Sequence, residues 1–262
     1  MLGAIAGDVI GSVHEWAGTK TKTFPLFAPA STFTDETVLT VAVAEHLLDG
    51  TDCIDAFHTW FERYPGAGFG GSFVHWAFRR QREPYHSFGN GAAMRVAPIA
   101  YAFDTLEDVL LHARRNACIT HDHEEGIAGA EVVAAGIFLA RTGHRKQDIH
   151  DLAAGRFRYP LRKTVAEIRA SHEFDSSCAG SIPPALAAFL ESTSFEDAVR
   201  TAVSIGGDAD TMASIAGALA EAFYGGVPEK IAADTLARLD DRLRGVIARF
   251  REAYPAQHTV QA

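Results

Sequence analysis

The sequence predicts an all-α protein built as a single compact domain of many packed helices. Three observations carry that expectation. Apolar residues recur at helical spacing in every long segment that shows a period at all. No stretch of any length alternates with a period of two, as a half-buried strand would. Small residues sit on helix faces, Ala213, Gly217 and Ala220 among them, which lets neighbouring helices approach closely.

The elements follow in order. Ala17 to Phe33 mixes Gly, Thr, Lys, Pro and Phe and resists helix assignment. A helix beginning near Asp35 or Glu36 runs through Val38 to Ala44, apolar on nearly every side, so it is an interior helix. Thr51 is a candidate cap for a helix with Ile54, Phe57, His58 and Phe61 on one face, ended by Pro65. Pro65 to Ser72 and His86 to Gly91 are Gly-rich loops, and such loops carry function when a rigid scaffold positions them. After Asp104-Thr105, a stripe of Leu106, Val109, Leu110, Ala113 and Ala117 marks another helix. Gly126 to Arg141 reads as a buried helix, with Gly143 beyond its end. Ser194-Phe195-Glu196-Asp197 resembles a capping box before Ala198, Val199, Ala202 and Val203. Met212, Ile215, Ala216, Leu219 and Phe223 form the stripe of a helix that Gly225-Gly226-Val227-Pro228 stops. Pro228 to Tyr254 is one long or two shorter amphipathic helices.

Length and composition bound the rest. The 262 residues are 47% apolar and 22% charged, with no linker, repeat or low-complexity tract, which suits one domain over residues 1–262. Cys53, Cys118 and Cys178 are too few and too scattered for a zinc finger or redox pair and are expected as reduced thiols in a cytoplasmic protein. The apolar start Met1 to Ala6 lacks a basic leader and is interrupted at Asp8, unlike a signal peptide. No apolar run is long enough to span a bilayer, and a net charge of −9 argues against a general nucleic-acid surface. A monomer is the default expectation.

Two clusters stand out: Thr34-Asp35-Glu36-Thr37 and Asp208-Ala209-Asp210-Thr211, about 170 residues apart. Each lies where a loop becomes an apolar helix. Helix capping accounts for one or two such residues, but each cluster carries two acids with flanking threonine. Carboxylates this dense beside buried helices need a positive partner, and a hard dication such as Mg²⁺ or Mn²⁺ suits all-oxygen ligands. Residues at i and i+2 converge on one ion from a non-helical turn and diverge on a helix.

At these residues the chain resembles the ADP-ribosylglycohydrolase family, which includes the dinitrogenase-reductase-activating glycohydrolases. The resemblance runs along nearly the whole chain: Gly7-Asp8-Val9-Ile10-Gly11-Ser12, Thr34-Asp35-Glu36-Thr37, Gly89-Asn90-Gly91-Ala92-Ala93-Met94-Arg95, Thr120-His121 and Gly207-Asp208-Ala209-Asp210-Thr211, in the family's order. It implies an all-α fold with a central binuclear cleft for two divalent cations, Mg²⁺ or Mn²⁺, held by Thr34, Asp35, Glu36, Asp208, Asp210 and Thr211. It further implies Glu15 as the mobile acidic residue near the metals, with Glu15 or Asp35 steering the attacking water. Gly89, Asn90, Gly91 and His121 would hold the ribose and diphosphate of ADP-ribose, and the Ser177 to Pro183 segment, with Ser181, would line the site. Bare N–H groups of a Gly-rich turn suit phosphate on physical grounds as well. One position departs: the family's first cluster most often reads Thr-Asp-Asp-Thr, and Glu36 stands at the third place.

The implied activity is hydrolysis of an N- or O-glycosidic bond, releasing ADP-ribose from a modified side chain, arginine foremost, or from a small ADP-ribose conjugate. Two alternatives stand beside it: an ADP-ribose-binding protein without turnover, and a two-metal phosphoester hydrolase. Without the resemblance Glu15 reads as an ordinary surface glutamate, and Trp16, Phe69 and Trp76 read as core aromatics before adenine platforms. His123 reads as solvated, and Cys178 lacks a partner base.

Overall fold

The structure, a computed structural model, describes residues 1–255. Their helices are α1 (Leu2–Gly11), α2 (Asp35–Asp49), α3 (Cys53–Arg63), α4 (Gly71–Phe78), α5 (Gly91–Met94), α6 (Ala97–Ala102), α7 (Leu106–Ala117) and α8 (Glu124–Arg141). The second half adds α9 (Lys146–Asp151), α10 (Val165–Ser171), α11 (Cys178–Glu191), α12 (Phe195–Ile205), α13 (Ala209–Phe223), α14 (Glu229–Leu236) and α15 (Asp241–Ala253). Among the described residues there is no strand; a single antiparallel bridge joins Gly89 to Ser177. No described helix is long and apolar enough to cross a membrane.

The architecture is organised around α13, buried continuously from Ala209 to Ala220. It packs on α1, α12, α11 and α8, and α2 runs beside α1. The α1–α13 contact is the closest because Gly3, Gly7 and Gly11 recur every four residues and so form one bare face of α1. A methyl carbon on Gly7 would lie 2.0 Å from the Ala213 carbonyl oxygen, and one on Gly11 would lie 2.5 Å from Asp210 Cα. Gly3 and Gly217 meet the same way, each with its missing methyl 2.3 Å from the other's carbonyl oxygen. Backbone-to-backbone contact here sets the spacing between the start of α13 and the middle of α1, where Asp8 lies.

Several boundaries differ from the sequence reading. The cap of α3 is Asp52 and not Thr51: its carboxylate accepts the N–H groups of Ile54 and Asp55 at 2.9 and 3.1 Å. The helix read from Gly126 begins two residues earlier, with His123 Nδ1 accepting Glu125 N–H at 3.1 Å. The loop read as Pro65 to Ser72 ends at Gly70, with α4 starting at Gly71, and Gly91 opens α5. The segment from Pro228 to Tyr254 is two helices, parted where Asp240 caps α15. Thr105 caps α7, and Ser194 caps α12 by accepting Asp197 N–H, which is one half of the capping box read there.

The glycine face gives a direct test. Gly7→Ala is expected to lower unfolding free energy by about 1–3 kcal/mol through overpacking. Gly245→Ala, where nothing lies within 4 Å, is expected to raise it by roughly 0.5–1 kcal/mol. Urea denaturation of both variants measures the contrast.

Candidate metal centre and its cleft

The two acidic clusters are not ordinary caps. Neither Thr34 nor Asp208, the residues at the cap positions of α2 and α13, bonds a first-turn amide with its side chain. For α2 the cap comes from another helix. Asp8, wholly buried in α1, accepts the N–H of Thr34 at 3.0 Å and of Thr37 at 3.1 Å. The Thr34 hydroxyl donates to the other Asp8 oxygen at 2.5 Å, and the Thr37 hydroxyl donates to Asp8 as well. Asp8 thereby makes both bonds of a capping box from outside the helix. The side chains of Asp35 and Glu36 are left free of that duty.

The clusters then meet. Glu36 accepts the Thr34 hydroxyl on one oxygen and the Thr211 hydroxyl, at 2.6 Å, on the other. Its extra methylene lets one carboxylate touch hydroxyls from both clusters. Single oxygens of Asp8, Glu36 and Asp210 lie within 4.8 Å of one another, and so do those of Glu15, Asp208 and Asp210. Asp210 belongs to both sets. The i, i+2 convergence expected of a non-helical turn occurs at helix starts, because the first member of each pair, Thr34 or Asp208, keeps non-helical backbone angles.

The electrostatics follow from burial. Asp8 is pushed up to about 6 by burial, against the pull of the Thr34 and Thr37 hydrogen bonds. Asp35 is pushed up to about 8 by burial and then by the charge of Asp8. Glu36 and Asp210 lie well above the carboxylate range, for burial first and then for neighbouring carboxylates. Glu15, about half-buried, is raised by burial and then by Asp208. The Thr34 hydroxyl has one proton and two carboxylates within reach, so a second positive species, proton or cation, is required between them. An all-oxygen set of this kind fits a hard dication, and its two triads sharing Asp210 fit a pair.

These carboxylates open into a cleft of about 460 Å³. It is lined by Glu15, Thr34, Asp35, Glu36, Asp208, Asp210 and Thr211, and by Gly89, Asn90, Gly91 and His121. Asp35 faces the cleft beside Gly68 but stands outside both oxygen sets. Asn90 donates from Nδ2 to Asp208 and to Ser181 Oγ, both at 2.7 Å, and so holds a carboxylate of the second cluster. Ser181 lies behind it, fully buried, its hydroxyl donating to the Asp175 carbonyl at 2.8 Å. The Gly89–Gly91 turn is strapped to the next wall by Asn90 N–H to Ser176 O at 2.8 Å and Cys178 N–H to Phe88 O at 3.0 Å. Cys178 is buried, its thiol held up by burial and donating to Gly89 O at 3.1 Å.

Of the three aromatics weighed from sequence, Phe69 and Trp76 are core residues. Trp16 is 77% exposed at the cleft, stacked on Phe174 at 4.7 Å between ring centroids. The irregular loop after it is anchored by Lys20, whose ammonium donates to His172 O at 2.7 Å and Ile205 O at 2.6 Å.

Sequence reasoning gave Asp8 and Arg95 no role beyond their place in motifs. The signal for Asp8 was present: one charge inside an otherwise apolar ten-residue helix. Arg95 is wholly buried and donates to Asn116 and Thr120 beneath His121.

Comparison with known proteins was made against this geometry. The family model described as ADP-ribosylglycohydrolase matches residues 1–259. The ADP-ribosylhydrolase ARH3 of Xenopus tropicalis is 27% identical, covering 86% of this chain and 86% of its own. The ADP-ribosylarginine hydrolase Tri1 of Pseudomonas putida is 30% identical over 55% of this chain and 42% of its own. A solved structure titled ADP-ribosylglycohydrolase-related protein complex superposes with a TM-score of 0.66 at 27% identity, covering 96% of both chains.

The raised carboxyls set a pH dependence for the metal-free protein. Folding holds protons that the unfolded chain sheds near its ordinary carboxylate pKa. That stabilisation is complete below about pH 4 and is lost as pH climbs through about 6 for Asp8 and about 8 for Asp35. Melting temperature in chelator is therefore expected to fall from about pH 5 to about pH 8. Added Mn²⁺ or Mg²⁺ is expected to raise it more at the alkaline end, which differential scanning fluorimetry reads directly.

Proposed function

The chain belongs to the ADP-ribosylglycohydrolase family, and we propose that it is a metal-dependent hydrolase releasing ADP-ribose from a modified side chain or small conjugate. One observation carries the reading: two convergent oxygen sets sharing Asp210 open into the same cleft as His121 and the Gly89–Gly91 turn. The carboxylates alone would suit many metal hydrolases. The Gly91 N–H and the imidazole beside them offer donors for a diphosphate, the N–H groups of Gly89 and Asn90 being already given to Ser87 Oγ and Ser176 O, and this favours ADP-ribose over a simple phosphoester.

Two divalent cations, Mg²⁺ or Mn²⁺, held by Thr34, Asp35, Glu36, Asp208, Asp210 and Thr211, would supply positive charge for the ribose hydroxyls and acidify a water. Asp8 keeps Thr34 and the start of α2 in place for that task, and Asn90 orients Asp208. Glu15 is the residue for the water proton. Its half-buried carboxyl is raised above the usual glutamate range by burial and then by Asp208, which makes it a stronger base than a surface glutamate. Asp35, which lines the cleft outside both oxygen sets, would be the second candidate for that proton from the other cluster. Breaking the bond at the anomeric carbon builds oxocarbenium character, which surrounding carboxylates stabilise.

The acceptor we favour is arginine. The exposed Trp16 and Phe174 faces beside acidic residues suit a guanidinium through cation–π contact. A relative named for ADP-ribosylarginine hydrolysis supports the same choice, whereas the name ADP-ribosylhydrolase ARH3 specifies no acceptor.

The test is release of free ADP-ribose from arginine-linked, serine-linked and O-acyl substrates with Mn²⁺ or Mg²⁺. Asp210→Ala is expected to lower kcat/KM roughly a hundredfold or more. Binding of ADP-ribose without turnover on every substrate would make the chain a binding protein; release of AMP or phosphate would make it a phosphoester hydrolase. Trp16→Ala is expected to raise KM for the arginine-linked substrate by about three- to tenfold while changing the serine-linked one little. Equal losses on both would remove the arginine assignment.

A further inference from the structure

Beneath His121 lies a charge that the carboxylate chemistry does not use. Arg95 has no exposed surface, and its guanidinium is pushed down only to about 10 by burial, so it stays positive at neutral pH. Among the described residues no carboxylate pairs with it. Its Nε–H and one Nη2–H go to the side chain and carbonyl of Asn116, both at 3.0 Å, and it lies over the Phe57 ring at 4.5 Å. Nη1 is buried without a partner. A second Nη2 contact reaches Thr120 Oγ1 at 2.9 Å, and that oxygen lies 2.7 Å from His121 Nδ1.

The hydroxyl decides the direction of this chain of bonds. Arginine can only donate, so it takes one lone pair of Thr120 Oγ1. Among the described residues, the one other partner of that oxygen is His121 Nδ1. If Nδ1 also carried a proton, this fully buried hydroxyl would face two donors and have no acceptor for its own proton, so Nδ1 accepts the Thr120 proton and the ring proton sits on Nε2. Nε2 faces the glycine turn: a methyl carbon on Gly91 would lie 3.2 Å from it, and one on Gly89 3.7 Å. Burial and the nearby Arg95 charge keep the imidazole itself neutral.

We propose that Arg95, acting through Thr120, is a positioning residue that fixes the His121 tautomer with its proton on Nε2. The wall built by His121 and the Gly89–Gly91 turn then presents donors to the cleft, with a buried positive charge behind them. This seat suits the diphosphate of an ADP-ribose conjugate, so the inference rests on the function proposed above and names how its anion is recognised. In the other tautomer a lone pair would face the phosphate oxygens.

Nitrogen-15 NMR of the histidine rings, with His121 assigned by comparison with a His121→Gln sample, tests the tautomer in the unaltered protein. The expected signature is Nε2–H. An Nδ1–H signature overturns the proposal without any variant. Thr120→Val removes the hydroxyl at nearly constant shape. It is expected to shift the His121 ring signals, weaken ADP binding about tenfold in the presence of Mn²⁺, and raise KM with little change in kcat. Thr120→Ser is expected to restore all three. Arg95→Lys, which keeps the charge but loses the fork, is expected to weaken ADP binding as well and serves if the valine variant does not fold. Folded Thr120→Val with wild-type ADP affinity overturns the relay alone. Unaltered protein that binds neither ADP nor ADP-ribose overturns the functional reading, and the seat with it.

Discussion

The site depends on one carboxylate that is not at the end of any helix. Asp8 accepts two amides and two hydroxyls from the start of α2, and in doing so does what Thr34 would otherwise do for its own helix. A cap supplied from within a helix occupies the capping side chain with a first-turn amide; a cap supplied from outside leaves that side chain free for other partners. That arrangement holds only while α1 lies within bonding distance of α2 and α13. The glycine face of α1 provides the distance on the α13 side, where any side chain would wedge the helices apart. Packing and chemistry are thus joined at one residue: the backbone contact at Gly7 and Gly11 sets where Asp8 is, and Asp8 sets where the first cluster points.

The cleft is electrically divided. Its acidic part holds carboxyls whose mutual repulsion, strengthened by burial, is relieved by protons in the metal-free protein and by dications when these are available. Its other part has an uncompensated arginine behind a neutral histidine. A conjugate carrying both a hydroxyl-rich sugar and a diphosphate matches that division along its length, which a phosphoester of a simple alcohol does not.

How much of this was legible in the sequence varies with the range of the interaction. Helices with a sustained apolar stripe, such as α7, α8 and α13, were readable because periodicity is a local property. Two longer helices were not read, α1 of ten residues and α11 of 14, which has Pro183 and Pro184 inside it; nor were α4, α6, α9 and α10, of six to eight residues. Segments of that length are held by tertiary contacts more than by propensity. Asp52 and Thr51 are both capable caps, and geometry chose between them. The acidic clusters announced themselves by density. What holds them did not: Asp8 reaches residues 26 and 29 positions away, and Asn90 reaches partners 91 and 118 positions away, with nothing local to mark the pairing. Arg95 was visible only as the last letter of a motif.

Lys20 has a mechanical consequence. Its ammonium is docked on the carbonyl of Ile205, the last residue of α12, one step before the glycine pair that leads to Asp208. Glu15 sits five residues upstream, just past the rigid end of α1, and His14 is braced to Thr19 at 2.9 Å. Even fully extended, such a span reaches only about 17 Å. Glu15 is therefore on a short leash pinned at both ends to the elements that carry the acidic clusters. The rest of the long loop is pinned beyond Lys20 by Arg200, which donates to Phe24 O at 2.7 Å, so the length of chain that carries Glu15 is set by α1 on one side and α12 on the other.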